Sequence, residues 1–341
     1  MPHLKQTVTI AGGGLAGLSL AVALGRRGIP VVLHEAGSYP RHRVCGEFIS
    51  GVQRSTLERL GIADLFSDAV PGRTMRWWRE GDRILEGELP EAAFCISRHR
   101  LDERLRRRAL ASGATVVERS RRRPTLAPGE VWAAGRVRCR GEWIGLKCHL
   151  SGLGMEADLE MHLGGNGYAG LARVEGGRVN VCGLFRLEKG RRRGGSGLLL
   201  DYLRAGGNGE LAGRLEEARR DEASFLGVAG FELGWQPAVD GLCRVGDAEG
   251  MIPPFTGNGM SMAFEGAEMA LDPLTDWSRG RVTWSEVVGG IREAGRRRFR
   301  RRVAAAMGMH RVLMSERGRD LIGGLSRAGL LPLRPLLSWV R

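Results

Sequence analysis

Gly12, Gly14 and Gly17 follow directly on the apolar run Val8-Thr9-Ile10-Ala11, and a second apolar run, Val31 to His34, ends at Glu35, 18 residues beyond Gly17. Glycines at this spacing cradle phosphates. Gly12 allows a tight turn, Gly14 lets backbone amides approach a pyrophosphate, and Gly17 lets the next helix lie close on the sheet. Leu15 and Ala16 open that helix, which turns the positive end of its dipole toward the phosphates. Glu35, followed by Ala36, stands where a carboxylate accepts both hydroxyls of an adenosine ribose. Strand, glycine triplet, amphipathic helix, strand and terminal acid in this order imply a βαβ unit that binds a dinucleotide.

The remaining elements must position that unit. A loop over Ala36 to Glu47 leads to a helix from Gln53 to Leu60 that stops at Gly61. Thr74 to Leu89 reads as strands turning at Gly81-Asp82, and Ser97 caps a helix over Arg98 to Ala111. Strands are expected at Ala114 to Arg119 and Glu130 to Ala134. From Trp143 to Leu187, glycine pairs divide Glu156 to Leu163, Tyr168 to Val174 and Val179 to Phe185, the pattern of an antiparallel meander. Helices near Gly197 to Arg204 and Glu210 to Asp221 precede a strand around Phe225 to Leu233. The chain then returns to the first layer with a strand at Leu242 to Val245, ending in Gly246-Asp247, and a helix from Gly257 to Leu271. Trp284 to Ser315 reads as one or two helices, and Leu330 to Arg341 is apolar and broken by proline.

The 341 residues have room for about two domains. Residues 1–72, 95–140 and 242–283 are expected to form a discontinuous nucleotide-binding domain, 73–94 and 141–241 a substrate domain, and 284–341 a C-terminal helical segment. The expected fold class is α/β, with an inserted antiparallel sheet and C-terminal helices. No apolar run approaches the roughly 20 residues that span a bilayer, and the expected location is cytoplasmic. Six cysteines form no Cys-x-x-Cys pair and no metal-ligand spacing, so free, mostly buried thiols and no metal are expected. The net charge is +14, yet lysine occurs only at Lys5, Lys147 and Lys189, leaving 49 arginines among 52 basic residues. Such a bias follows from GC-rich coding and weakens any inference about partners. The run Arg296 to Arg302 reads first as a solvated helix face and second as a peripheral contact with an anionic membrane. Nucleic acid ranks last as a partner, since no reader motif accompanies the charge, and the sequence leaves the oligomeric state open.

Val245-Gly246-Asp247-Ala248 followed by Pro253-Pro254-Phe255-Thr256-Gly257-Asn258-Gly259-Met260 joins the N-terminal glycines in a further likeness. Together these motifs resemble the flavoprotein superfamily of para-hydroxybenzoate hydroxylase, which also holds flavin halogenases and geranylgeranyl reductases. The resemblance covers most of the chain up to about Leu271. It implies a glutathione-reductase-type, Rossmann-like FAD-binding domain, FAD as cofactor, and NADPH or NADH as electron donor. By the same likeness Asp247 faces ribityl hydroxyls or pyrophosphate. Gly246, Pro254, Gly257, Asn258, Gly259 and Met260 carry the helix N-terminus that points at the isoalloxazine edge. The stretch Arg41-His42-Arg43-Val44-Cys45-Gly46-Glu47 is similar to the segment after the second strand in reductases and halogenases of the superfamily. It implies cofactor contacts from Arg43, Cys45 and Gly46, with Arg98 supplying a second arginine.

Two departures narrow the chemistry. The superfamily's second Asp-Gly motif is replaced by Ala133-Ala134-Gly135-Arg136, which puts the usual handling of NADPH in doubt. The Trp-x-Trp-x-Ile-Pro segment and catalytic lysine of halogenases are missing. The leading expectation is therefore a monooxygenase that hydroxylates or epoxidises an apolar, phenolic or polyketide-type molecule through a flavin C4a-hydroperoxide. One alternative is reduction of an isoprenoid or polyene alkene. That reaction needs a positioned proton donor, for which Cys45, Glu47, Lys147 and His149 are the candidates. Another alternative is a non-catalytic flavoprotein, or a basic protein binding membrane surfaces or RNA.

Overall fold

The computed structural model describes residues 5–136, 139–188, 194–328 and 330. In chain order, β1 (Val8–Ala11), α1 (Leu15–Arg26) and β2 (Val31–His34) form the opening βαβ unit. They are followed by β3 (Phe48–Ile49), α2 (Arg54–Leu60), the hairpin β4 (Val70–Arg79) and β5 (Asp82–Cys95), α3 (Arg98–Ala111), β6 (Thr115–Val117) and β7 (Glu130–Trp132). Ser97 caps α3 as its sequence implies, its side chain accepting from the Arg100 amide at 3.1 Å. The next run comprises β8 (Trp143–Ser151), β9 (Leu159–Gly164), β10 (Gly167–Val174), β11 (Arg178–Arg186), α4 (Gly197–Ala205), α5 (Gly209–Glu217) and β12 (Arg219–Ala229). After β13 (Gly234–Trp235), β14 (Cys243–Arg244) and β15 (Gly250–Met251), the chain ends in α6 (Gly259–Ser278), α7 (Trp284–Leu313) and α8 (Glu316–Arg327).

Two sheets divide the work. The first has the order β14-β7-β1-β2-β6 with every pair parallel, so a strand near residue 244 joins strands from the first 132 residues. Buried α1 and α6 pack on it through Leu18, Val22, Phe264 and Ala267. This is the expected α/β, Rossmann-like layer. The second sheet has eight strands in the order β12-β8-β11-β10-β9-β4-β5-β3. The inserted sheet is not wholly antiparallel as expected, because β4 and β9 pair in parallel. These two strands are about eighty residues apart in sequence, and no local pattern reports such a pairing. Along β8, Ile144, Leu146, Cys148 and Leu150 pack on α4 and α5, which by the two-residue period of a strand puts Gly145, Lys147 and His149 on the opposite face.

Two boundaries differ from the sequence reading, each for a tertiary reason. The helix expected to run to Asp221 stops at Glu217, and Arg219 onward pairs with β8, setting Asp221 opposite His149. The polar, non-alternating Arg219 to Asp221 stretch carries no strand signal of its own. Helix α6 continues past Leu271 through Pro273. Proline in a helix interior costs about 3 kcal/mol, which the burial of Leu274 and Trp277 offsets. Among the thiols Cys95, Cys148 and Cys243 are buried, but Cys139 is exposed and Cys45 and Cys182 are half-buried, so "mostly buried" is corrected to half; all six are free. Residues 331–341 of the apolar, proline-broken stretch lie outside the described residues.

The Arg296 to Arg302 run divides by helix face. Arg296 pairs with Glu249, while Arg298 and Arg302 both pair with Glu265, Arg302 at 2.8 Å in a buried bridge. Arg297, Arg300 and Arg301 stay exposed. On α7, Val303, His310 and Leu313 are buried in the core, while Met307 is half-buried. His310 is 4% exposed and packs edge-on to Trp143 and Tyr168, at 4.9 Å and 6.0 Å between ring centres. Burial first, and Arg186 second, push its pKa down to about 4. The unfolded imidazole titrates near 6.5. Its contribution to stability is therefore complete above pH 6.5 and is lost as pH falls through 4. His310→Phe is expected to lose about 3 kcal/mol less stability than the parent between those limits, measured by urea unfolding at each pH.

Candidate active site

Between the two sheets lies a cavity of ≈ 1450 Å³. Two helix N-termini open onto it from distant parts of the chain. From the start of α1 come Gly12, Gly14, Leu15 and Ala16; from the approach to α6 come Gly246, Asp247, Pro254, Gly257, Asn258, Gly259 and Met260. The glycine roles separate cleanly. Gly12 has φ +114°, and a Cβ there would meet the Ala133 carbonyl at 2.4 Å. A Cβ on Gly14 would find its nearest atom 3.9 Å away, so that position holds open space for a ligand. Gly17 is not on the cavity wall: a Cβ there would sit 2.0 Å from the Gly12 carbonyl oxygen. Within the glycine triplet it serves the close packing of helix on strand and does not itself face the ligand space. At the second N-terminus Asn258 is fully buried and its Oδ1 has no partner, a polar atom that a ligand donor would satisfy.

Glu35, Ala36, Arg43, Cys45, Gly46 and Arg98 also line the cavity. Glu35 accepts from the amides of Gly13 and Gly37, both at 2.9 Å, and pairs with Arg41 at 2.8 Å and Arg43 at 3.2 Å. Burial pushes its carboxyl up, but Arg43, the Gly37 amide, Arg41 and the Gly13 amide outweigh it and hold the pKa below the usual range. Arg43 and Arg98 converge on the buried carboxylate of Asp102, each through Nε at 2.7 Å. Asp102 thus holds two guanidinium groups beside the glycine turn. Asp247 opens onto the same space; the surrounding protein pushes its carboxyl up, against the pull of Arg98 and Arg136.

The four candidate proton donors do not sit together on the wall. Cys45 lines the cavity, with its Sγ 3.5 Å from Met260 Sδ, and burial pushes its thiol up. Glu47, Lys147 and His149 lie behind the wall, each 0% exposed. The Glu47 carboxylate accepts from the Arg98 amide at 2.9 Å and from His149 Nε2 at 2.5 Å, with Lys147 Nζ at 3.5 Å. Glu47 adopts φ +55°, a left-handed conformation rare outside glycine, and these side-chain bonds hold it there. The reading of these three as groups that touch the reactants is corrected. Lys147 and His149 share one strand face with cavity-lining Gly145, but their own side chains end at buried Glu47, beneath the loop that carries His42.

What does reach the wall is His42, a residue the sequence reading passed over although it sits in the quoted Arg41 to Glu47 stretch. Lys147 Nζ lies 3.1 Å from His42 Nδ1. His99, also on the wall, stacks on His42 at 4.6 Å between ring centres. His42, His149 and Asp221 bring nitrogen and oxygen atoms within 4.8 Å of one another. The protonation pattern does not suit a cation: Lys147 donates to His42 Nδ1, so the neutral ring carries its proton on Nε2, and the ammonium stands at the edge of the cluster.

A cradle of two helix N-termini, an acid at the end of β2 and an arginine-rich rim fits a dinucleotide, and comparison with known families specifies which. Residues 5–138 match the FAD-binding domain family. The chain carries an FAD-binding domain. Its matched relatives include the squalene epoxidase erg1 of Aspergillus fumigatus, 38% identical over 73 residues, which covers 21% of this chain and 15% of that one. A menaquinone reductase of Mycolicibacterium smegmatis is 27% identical over 119 residues, covering 34% of this chain and 29% of the relative. The flavoprotein therefore aligns with under a third of these relatives' length. Solved structures share the fold across nearly the whole chain. The brominase Bmp2 superposes with a TM-score of 0.77 at 15% identity over 98% of this chain and 93% of its own. Pseudomonas aeruginosa PqsL, solved with 2-aminobenzoylacetate, gives 0.71 at 16% over 94% and 99%. A geranylgeranyl bacteriochlorophyll reductase-like protein of Thermoplasma acidophilum gives 0.73 at 18% over 98% and 96%. No helix among the described residues is long and apolar enough to cross a membrane.

Proposed function

We propose that the flavoprotein is an FAD-dependent monooxygenase that inserts oxygen into an apolar small molecule with a phenolic, polyketide-like or polyene body. The observation that carries this reading is the lining of the cavity. It combines the glycine and arginine cradle with one apolar cluster that includes Met75, Trp77, Leu184, Phe231 and Phe255. Bound FAD supplies the redox chemistry. The protein's part is to orient the substrate and exclude water, which an apolar wall achieves without a reactive side chain. Glu47, Lys147 and His149, three of the four proton donors expected for alkene reduction, stand behind the wall, and this too favours oxygenation. NADPH or NADH is the proposed electron donor.

Cys45 favours a second reading, reduction of an alkene, because its thiol stands on the wall beside Met260. The two readings separate in one experiment. The purified holoprotein, reduced by light, is mixed with isotopically heavy dioxygen and naphthol, and in parallel with geranylgeraniol under nitrogen. The expected product is a naphthol derivative carrying the heavy oxygen, with Cys45→Ala slowing its formation less than about threefold. A hydrogenated isoprenoid formed without oxygen, at a rate that Cys45→Ala cuts about a hundredfold, would establish reduction instead.

A further inference from the structure

We propose that His42 is the substrate-binding donor of the cavity, its ring N–H holding an acidic hydroxyl oxygen of the substrate, with Lys147, Glu47 and His149 positioning it from behind. This deepens the reading of that cavity as the substrate site and rests on it.

The argument begins with what surrounds the ring. Lys147 is fully buried on β8 and reaches His42 Nδ1 at 3.1 Å. An ammonium has donors only, so Nδ1 accepts and Nε2 carries the proton of the neutral imidazole. Glu47 anchors Lys147 at 3.5 Å and fixes His149 at 2.5 Å, leaving His149 edge-on to His42 at 5.1 Å between ring centres. His99 from α3 closes one ring face at 4.6 Å, Asp221 from β12 lies in the same cluster within 4.8 Å, and His42 itself lines the cavity. Three elements and the ring's own loop therefore fix its orientation and tautomer. Burial first, then Lys147, His149 and His99, push its pKa down to about 4, against Glu47. His42 is thus a neutral hydrogen-bond donor at ordinary pH, backed by a positive charge.

Such a donor recognises an oxygen that carries or develops negative charge, as a phenol or enol does. A purely hydrocarbon ligand would leave it without a partner. The chemical class that follows is an apolar body bearing one acidic hydroxyl.

The test reads binding without turnover, so a failure of oxygen insertion leaves it intact. Naphthol and naphthalene are titrated into the oxidised holoprotein, and the change in bound-flavin absorbance is followed. The parent is expected to bind naphthol about tenfold more tightly than naphthalene, the worth of one hydrogen bond to a charge-bearing oxygen. His42→Phe should abolish that preference while leaving naphthalene affinity within about twofold. His42→Gln, which keeps an N–H, should restore part of it and serves if the Phe variant does not fold. In Lys147→Met the pH at which naphthol affinity changes should rise from about 4, because the positive neighbour is gone. Equal affinity for the two probes in the parent, a preference that survives His42→Phe, or an unmoved pH response in Lys147→Met would each overturn the proposal.

Discussion

Glu47→Ala is expected to lower the unfolding free energy of the flavoprotein by about 3–5 kcal/mol, the usual cost of stranding one partner of a buried ion pair. Lys147 is 0% exposed, with Glu47 at 3.5 Å, and the same carboxylate fixes His149 and the Arg98 amide. Removing it leaves an ammonium, an imidazole N–H and the first amide of α3 without their acceptor. Urea unfolding at neutral pH measures the loss. The double variant Glu47→Ala with Lys147→Met should recover about half of it, since an apolar side chain no longer needs a counter-charge. A loss below about 1 kcal/mol in the single variant would show that Lys147 is not held by this carboxylate.

Gly17→Ala and Gly14→Ala are expected to weaken FAD binding by different routes, and the contrast is the second large effect. At Gly17 the added Cβ would lie 2.0 Å from the Gly12 carbonyl oxygen and 3.3 Å from Ile10 Cγ2, so α1 must move away from β1. The helix N-terminus and Gly14 move with it, and the FAD dissociation constant should rise about a hundredfold together with a loss of stability. At Gly14 the same Cβ meets nothing closer than Arg98 Nη2 at 3.9 Å. The apoprotein should then melt at the parent's temperature while FAD affinity still falls, because the methyl occupies the approach of the pyrophosphate. Calorimetry of the apoproteins and fluorescence titration with FAD separate the two. Equal FAD affinity in Gly14→Ala and the parent would remove the pyrophosphate from this turn.

The contrast also shows where a sequence motif stops. Gly12, Gly14 and Gly17 are alike as letters, yet one is a turn at φ +114°, one is open space and one is a packing contact. The spacing marks a cradle; which glycine touches the ligand depends on where the neighbouring strand lies. The same holds for Lys147 and His149. Their two-residue spacing on a strand puts them on one face, which is legible from the sequence. That this face meets Glu47 behind a wall, and that His42 stands in front, depends on the loop of residues 36–47 folding over β8 from a hundred residues away.

Local periodicity, capping and glycine placement determined the elements themselves: the βαβ opening, the Ser97-capped helix, the meander and the return to the first layer near residue 244. These signals are short-ranged, arising from backbone sterics and from which side of a helix or strand is apolar. Tertiary structure alone decided the parallel pairing of β4 with β9, the strand at Arg219 to Asp221, the passage of α6 through Pro273, and the division of titratable residues between wall and interior. Each of these turns on contacts between segments far apart in the chain, whose free energy outweighs local preference and leaves no trace in the spacing of any one stretch.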